Sequence, residues 1–268
     1  MSRLGVLVTL LVLPLAACAG EPPEEPAVFV DTTADPGDPP PTEASIRERC
    51  ASQLPPDAPI RDVRVLGEGE GESGTRVPAV VIGPERPSET VMVLLHQVGT
   101  GLCGWGRFAT RAAERGVTSV LVDLCGYGDA TCPEGSAGEV SARLGLDLAT
   151  TELGAERTAL VGASMGGSET VLAVAGGTEV DVWVDVSGPS SWAGVDLLSV
   201  AHRVERPGLV VYARSDGETE YAAGRALARR TGAEFLDGGR GHGYELLTDF
   251  EGALIDGGER VLAFAQGG

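Results

Sequence analysis

The stretch Thr158-Ala159-Leu160-Val161-Gly162-Ala163-Ser164-Met165-Gly166 decides how the rest of the chain is read. Its first residues form a short apolar run, and over residues 165–175 the spacing turns helical. Between the two stands Gly-x-Ser-x-Gly. Glycines on either side of the Ser let the backbone turn sharply from strand to helix, which lifts the hydroxyl out of a sheet and aims a helix N-terminus at it. A Gly-rich strand–helix turn with an idle Ser would carry the same letters, so the surrounding chain has to decide between the two.

Outward from this stretch, apolar runs alternate with longer amphipathic ones. Residues 63–66 and 77–82 read as two strands paired antiparallel around the Gly/Glu-rich turn at 67–74. Further strands are expected at 91–95, 119–122, 158–161, 180–186, 209–212 and 233–236, and helices at 108–115, 139–153, 165–175, 218–230 and 249–265. The run Val91-Met92-Val93-Leu94-Leu95 is apolar without alternation, as a strand covered on both faces requires. This order gives an α/β protein with a mostly parallel central sheet and helices on both faces.

In such sheets the chemistry gathers at the carboxyl ends of the strands. Ser164 follows one strand, Asp216 follows the strand 209–212, and His242 follows the strand 233–236 within Gly241-His242-Gly243. A nucleophile, then an acid, then a His is the order this elbow requires. Of the three His residues, His96 ends the strand 91–95 and His202 lies between strands, so His242 is the candidate base and His96 a loop-shaping residue. Asp185 is the runner-up acid, and Asp237 reads as a loop carboxylate.

With these residues in hand the chain resembles the α/β-hydrolase superfamily, and within it the small bacterial esterases and dienelactone hydrolases. Leu94-Leu95-His96-Gln97-Val98-Gly99 is similar to the family's apolar strand followed by His-Gly, and Asp123-Leu124-Cys125-Gly126-Tyr127-Gly128 to its Asp-x-x-Gly-x-Gly loop. The resemblance runs from about residue 77 to 264 and implies ester cleavage through Ser164, Asp216 and His242, without a cofactor or metal. It also implies an oxyanion hole made by the N–H groups of Met165 and Val98. Two departures stand out: Gln97 replaces the usual Gly after the His, and the nucleophile is Ser where dienelactone hydrolases proper use Cys. Only about twenty residues separate the strand ending at Val186 from the next, so a cap domain is small or missing. An open site follows, with Gln97, Trp105, Tyr127 and Trp192 as candidate pocket residues, ordinary packing being the alternative for the aromatics. A non-catalytic binding or scaffold protein on the same fold is the competing function.

The N-terminus carries a different message. Arg3 precedes an uncharged apolar run, and Leu15-Ala16-Ala17-Cys18 is similar to the lipobox of bacterial lipoproteins, which makes residues 1–17 a signal peptide and Cys18 a lipidation site. Residues 18–44 read as an acidic, Pro-rich disordered tether with seven acidic residues and no basic one, and residues 45–268 as the folded domain. The expected setting is the cell envelope on the extracytoplasmic side, with a membrane partner through the lipid and a small-molecule ester as substrate.

The 268-residue chain has 39 acidic and 20 basic side chains, a net charge of −19, which opposes binding to nucleic acid. All the basic residues are Arg, so neither a Schiff-base amine nor a Lys base is on offer. Without residues 1–17 and the tether, about −13 remains on residues 45–268. Besides Cys18 there are Cys50, Cys103, Cys125 and Cys132, an even number that suggests two disulfides in an exported chain. Cys125–Cys132 with Cys50–Cys103 is the favoured pairing and Cys103–Cys125 an alternative. The spacings lack the Cys-x-x-Cys pairs of a zinc site.

Overall fold

The structure is a computed structural model and describes residues 31–32, 39–67, 74–86 and 88–268. The expected signal peptide, Cys18 and most of the expected tether lie outside the described residues. Eight strands build the main sheet: β1 (Ile60–Leu66), β2 (Val77–Ile82), β3 (Thr90–Leu95), β4 (Thr118–Val122), β5 (Arg157–Ala163), β6 (Val182–Val186), β7 (Gly208–Tyr212) and β8 (Glu234–Asp237). Their spatial order is β8-β7-β6-β5-β3-β4-β2-β1. Strand β2 runs antiparallel to both neighbours and all other pairs are parallel.

The helices are α1 (Glu43–Arg49), α2 (Gly106–Glu114), α3 (Gly138–Thr151), α4 (Met165–Gly176), α5 (Leu197–Val200), α6 (Glu218–Thr231) and α7 (Asp256–Ala265). Successive strand side chains point to opposite faces, and two cores result. Met92 and Leu94 pack with Ile46, Phe108 and Val261 beneath α1, α2 and α7. Val91, Val93 and Leu95 pack with Ala142, Val171 and Leu227 beneath α3, α4 and α6. Both sides of β3 are sealed, which is why its sequence shows no polar alternation. Burying each such Val or Leu contributes about 1.5–3 kcal/mol.

Three elements differ from the sequence reading. The last helix begins at Asp256 instead of residue 249, because Asp249 closes a turn of its own: its carboxylate accepts from Ala253 N–H at 2.8 Å, and Gly252 stands at φ 83. Helix α1 opens at Glu43, capped by Thr42 and Ser45 in a reciprocal pair of bonds, inside the segment expected to be tether. Asp31–Thr32 pairs in parallel with Tyr127–Gly128. Between β6 and β7 the chain makes a small hairpin of Ser191–Trp192 with Val195–Asp196, then α5 and a 3-10 turn at Ala201–Arg203.

Two disulfides form, Cys50–Cys103 and Cys125–Cys132, with Cα atoms 5.0 and 5.5 Å apart. The first pins α1 to the segment that follows β3. Beside it Arg49 grips the fully buried Asp123 with two hydrogen bonds of 2.9 and 3.0 Å and reaches Asp129 at 2.8 Å. Asp123 also accepts the N–H groups of Leu102 and Asp129, so its charge is met on every side.

Candidate active site

Ser164 sits between β5 and α4 at φ 50 and ψ −120, a conformation that L-residues avoid. The surroundings hold it there. Its N–H donates to Val186 O at 2.8 Å, and Gly166 N–H donates to His96 O at 3.2 Å. A Cβ on Gly162 would collide with Gly166 O, and one on Gly166 with Leu95 O, so both flanking glycines are demanded by close backbone approach. Ser164 is half-buried while the rest of the elbow is buried. Met165 is the first residue of α4, and its N–H is among the helix amides that have no intrahelical acceptor.

Asp216 ends a 3-10 turn, Arg214–Asp216, just past β7. Its Oδ1 receives His242 Nδ1–H at 2.8 Å, and its Oδ2 receives Ser187 Oγ–H at 2.8 Å and Ala213 N–H at 3.2 Å. Burial alone would push this carboxyl up, but the bonds from His242, Ser187 and Ala213 outweigh it and hold the pKa below the usual aspartate value. His242 is raised in turn, chiefly by its bond to Asp216, against partial burial. Its side chain stays half exposed while that of Asp216 is almost wholly covered. With Nδ1–H given to Asp216, Nε2 is left to accept a proton.

The two loops are also stitched beside this pair. Ser215 Oγ–H donates to Gly241 O at 2.9 Å and accepts Gly241 N–H at 2.9 Å. The next residue after His242, Gly243, packs on the elbow strand: a Cβ there would lie 3.7 Å from Ala163 Cβ and would collide with Gln97 Oε1. The residue after His242 thus lies against Gln97 and against Ala163, the residue before Ser164.

His96 is fully buried and lies outside any proton path. Its Nε2 accepts Leu124 N–H at 3.0 Å and its Nδ1–H donates to Gln97 O at 2.9 Å, which fixes a neutral tautomer, and burial lowers its pKa. Gln97 N–H donates to Tyr244 OH at 2.9 Å, and that hydroxyl also meets Thr100 Oγ1 at 3.1 Å. The Gln97 amide is thus already engaged, and the next along the loop is that of Val98, whose residue is 48% exposed. Tyr244 was not singled out from the sequence, where it is one Tyr two places after the His; the same is true of Ser187.

The remaining candidates separate. Tyr127 and Trp192 are half-buried at the upper edge of the α3–α4 core, Tyr127 edge-on to His96 and Trp192 held by its Nε1–H to Glu169 Oε1 at 2.6 Å. Trp105 takes the packing alternative and not the pocket one: it is fully buried between Phe108 and Tyr244, with ring centroids at 5.6 and 4.8 Å, as part of the core. Asp185 is buried, its oxygens taken by Gly188 N–H at 2.8 Å and Tyr212 OH at 3.1 Å while His242 bonds Asp216, and burial pushes the Asp185 pKa up to about 7. Asp237 bonds Tyr221 OH at 2.8 Å and Gly239 N–H at 3.0 Å, a loop-closing role.

A parallel sheet with one antiparallel second strand, a strained Ser after the fifth strand and an Asp–His pair after the seventh and eighth define the α/β-hydrolase fold, and the chain has it. Solved structures agree at the level of fold. A putative dienelactone hydrolase from Klebsiella pneumoniae superposes with a TM-score of 0.58 at 16% identity, covering 78% of this chain and all of that one. An esterase of Pyrococcus furiosus gives 0.56 at 11% identity over 78% of this chain and 87% of its own. A predicted CIB-like hydrolase from Thermoplasma acidophilum gives 0.56 at 17% over 77% and 97%. In sequence, the chain is 40% identical over 85 residues to a 2-hydroxy-6-oxononadienedioate/2-hydroxy-6-oxononatrienedioate hydrolase of Paraburkholderia phymatum, which is 30% of this chain and 29% of that protein. No family model matches the chain.

Proposed function

We propose that the chain is a serine hydrolase that cleaves a small ester or related acyl compound, with Ser164 as nucleophile, His242 as general base and Asp216 as the carboxylate that orients it. The observation that carries this reading is the 2.8 Å bond from His242 Nδ1 to Asp216 Oδ1, on a loop packed against the elbow of Ser164. Esterases and hydrolases among the similar structures, and a hydrolase as the curated relative, support the same reaction class.

In the reaction, Ser164 Oγ attacks the acyl carbon while its proton passes to His242 Nε2. The carbonyl oxygen becomes an oxyanion received by the N–H groups of Met165 and Val98. Collapse breaks the acyl–oxygen bond, and the leaving alcohol takes the proton from His242. Water then gives a proton to His242 and its oxygen to the acyl carbon, releasing the acid and restoring Ser164. Gln97, Tyr127 and Trp192 border the acyl or alcohol side of an open site.

The envelope setting belongs to the same proposal: residues 1–17 are removed, Cys18 carries lipid, and the acidic segment behind it holds the enzyme off the membrane. The two disulfides support an oxidising compartment. Globomycin should block processing, and the mature N-terminal peptide should carry lipid on Cys18; an unmodified Cys18 in the mature chain removes the anchor.

The activity test uses a fluorophosphonate probe, which should label the protein and fail to label Ser164→Ala. Asp216→Asn should lower turnover of p-nitrophenyl acetate by roughly 10⁴, as in the serine-protease precedent, whereas Asp185→Asn should keep most of it. Folded protein that takes no label would favour a binding protein on this fold.

A further inference from the structure

The turn that follows β6, Val186-Ser187-Gly188, is bonded to both Ser164 and Asp216 yet contributes nothing to the reaction as written above. Val186 O accepts the N–H of Ser164 at 2.8 Å. Ser187 N–H donates to Val211 O at 2.9 Å, so the turn is tied to β7 just before the acid loop. Gly188 is held from below: its N–H reaches Asp185 Oδ1 at 2.8 Å and its carbonyl accepts the Tyr212 hydroxyl, which also reaches Asp185 Oδ2. One residue of this turn is out of place conformationally. Ser187 stands at φ 58, where Gly is at ease and a Cβ carries a cost, and it is only 2% exposed.

The reason for a hydroxyl there lies in its one strong bond, Ser187 Oγ to Asp216 Oδ2 at 2.8 Å. A carboxylate that holds His242 through Oδ1 can still rotate about its Cβ–Cγ bond unless Oδ2 is held as well. Ala213 N–H, at 3.2 Å, is the longer of the two bonds that do so. A hydroxyl facing a carboxylate oxygen can only donate, and charge-assisted bonds of this kind are the strong ones. We infer that Ser187 is a positioning residue of this hydrolase: its hydroxyl locks Asp216 in the rotamer that orients His242, and the turn bearing it sets the acid and the nucleophile in one frame. Being buried, it touches no substrate and acts only through Asp216. The inference rests on the Ser164–His242–Asp216 reading.

The test compares Ser187→Ala, which deletes the hydroxyl, with Ser187→Gly, which deletes it and also relieves the backbone. With p-nitrophenyl acetate as the probe, both should lower kcat by roughly tenfold or more and leave KM within about twofold. Ser187→Gly should do so with an undiminished melting temperature. In an Asp216→Asn background the same substitutions should cost less than about twofold, because the group they serve has lost its charge. Wild-type kcat in Ser187→Gly overturns the inference, as does an equal loss with and without Asp216. If Asp216→Asn itself keeps wild-type turnover, the triad reading falls and takes this inference with it, whereas a crippled Asp216→Asn beside a fully active Ser187→Gly overturns the inference alone.

Discussion

Asp185 is a carboxyl group kept from water beneath the nucleophile elbow, with two hydrogen-bond donors and no cation among its partners. Burial outweighs those donors and lifts its pKa from 3.8 to about 7. In the unfolded chain it loses its proton near 3.8, whereas in the folded protein it keeps the proton up to about 7. Between those values the native state binds more protons than the unfolded one, so stability falls as pH rises through this window and levels off above it. Asp185→Asn removes the titration and keeps an acceptor for Gly188 N–H. The stability advantage of the variant over wild type should therefore grow by about 3 kcal/mol between pH 5 and pH 8, read from urea midpoints at the two pH values. A difference that does not change with pH would show that Asp185 titrates normally in the fold. The sequence marked Asp185 as a carboxylate at a strand end, but whether such a residue faces His242 or the underside of the elbow depends on which loop packs over it. Ser187 and Ser215 were invisible for the same reason, since each acts across 26 to 29 residues of chain.

At the scale of elements, the loop after β3 that carries Val98 and the loop after β8 that carries His242 are joined by Tyr244. Its hydroxyl accepts Gln97 N–H and meets Thr100 Oγ1, and its ring lies against Trp105. Burial pushes the Tyr244 phenol well above its usual range, so the bridge stays intact across the working pH. Tyr244→Phe keeps the ring and removes the bridge, leaving Gln97 N–H buried without its acceptor, a loss worth about 1–3 kcal/mol. If Val98 N–H serves the oxyanion, kcat and the rate of fluorophosphonate labelling should both fall about tenfold with KM nearly unchanged. Wild-type labelling by a folded Tyr244→Phe would uncouple the two loops. The inner strands were legible because each is a short run sealed on two faces, and the elbow because its glycines answer to local backbone contact. The start of α7 was not, since Asp249 and Gly252 form a turn whose residues suit a helix start equally well. Trp105 was left between pocket wall and core because a large aromatic after a strand looks the same whether it borders a pocket or fills a core.

For the whole molecule, the question is what fixes α1, the first helix among the described residues, onto the sheet. The polar hold is Arg49 on buried Asp123, and the covalent one is Cys50–Cys103, which closes a loop spanning 53 residues. Cys125–Cys132 spans only 7 and lies within the loop beyond β4. In the loop-entropy model the long bridge is worth up to about 4 kcal/mol and the short one about 2.5 kcal/mol, because a longer loop restricts the unfolded chain more. Cys50→Ser with Cys103→Ser should therefore destabilise the protein more than Cys125→Ser with Cys132→Ser, as read from urea unfolding of both double variants. The long bridge should also matter for turnover, because Cys103 follows Val98 by only a few residues and α1 braces Leu102 through Asp123. Loss of stability without loss of kcat at a temperature where the variant is fully folded would mean that the loop holds its shape through Tyr244 and His96 alone. Loss of both would make α1 part of the scaffold that keeps the loop after β3 in place.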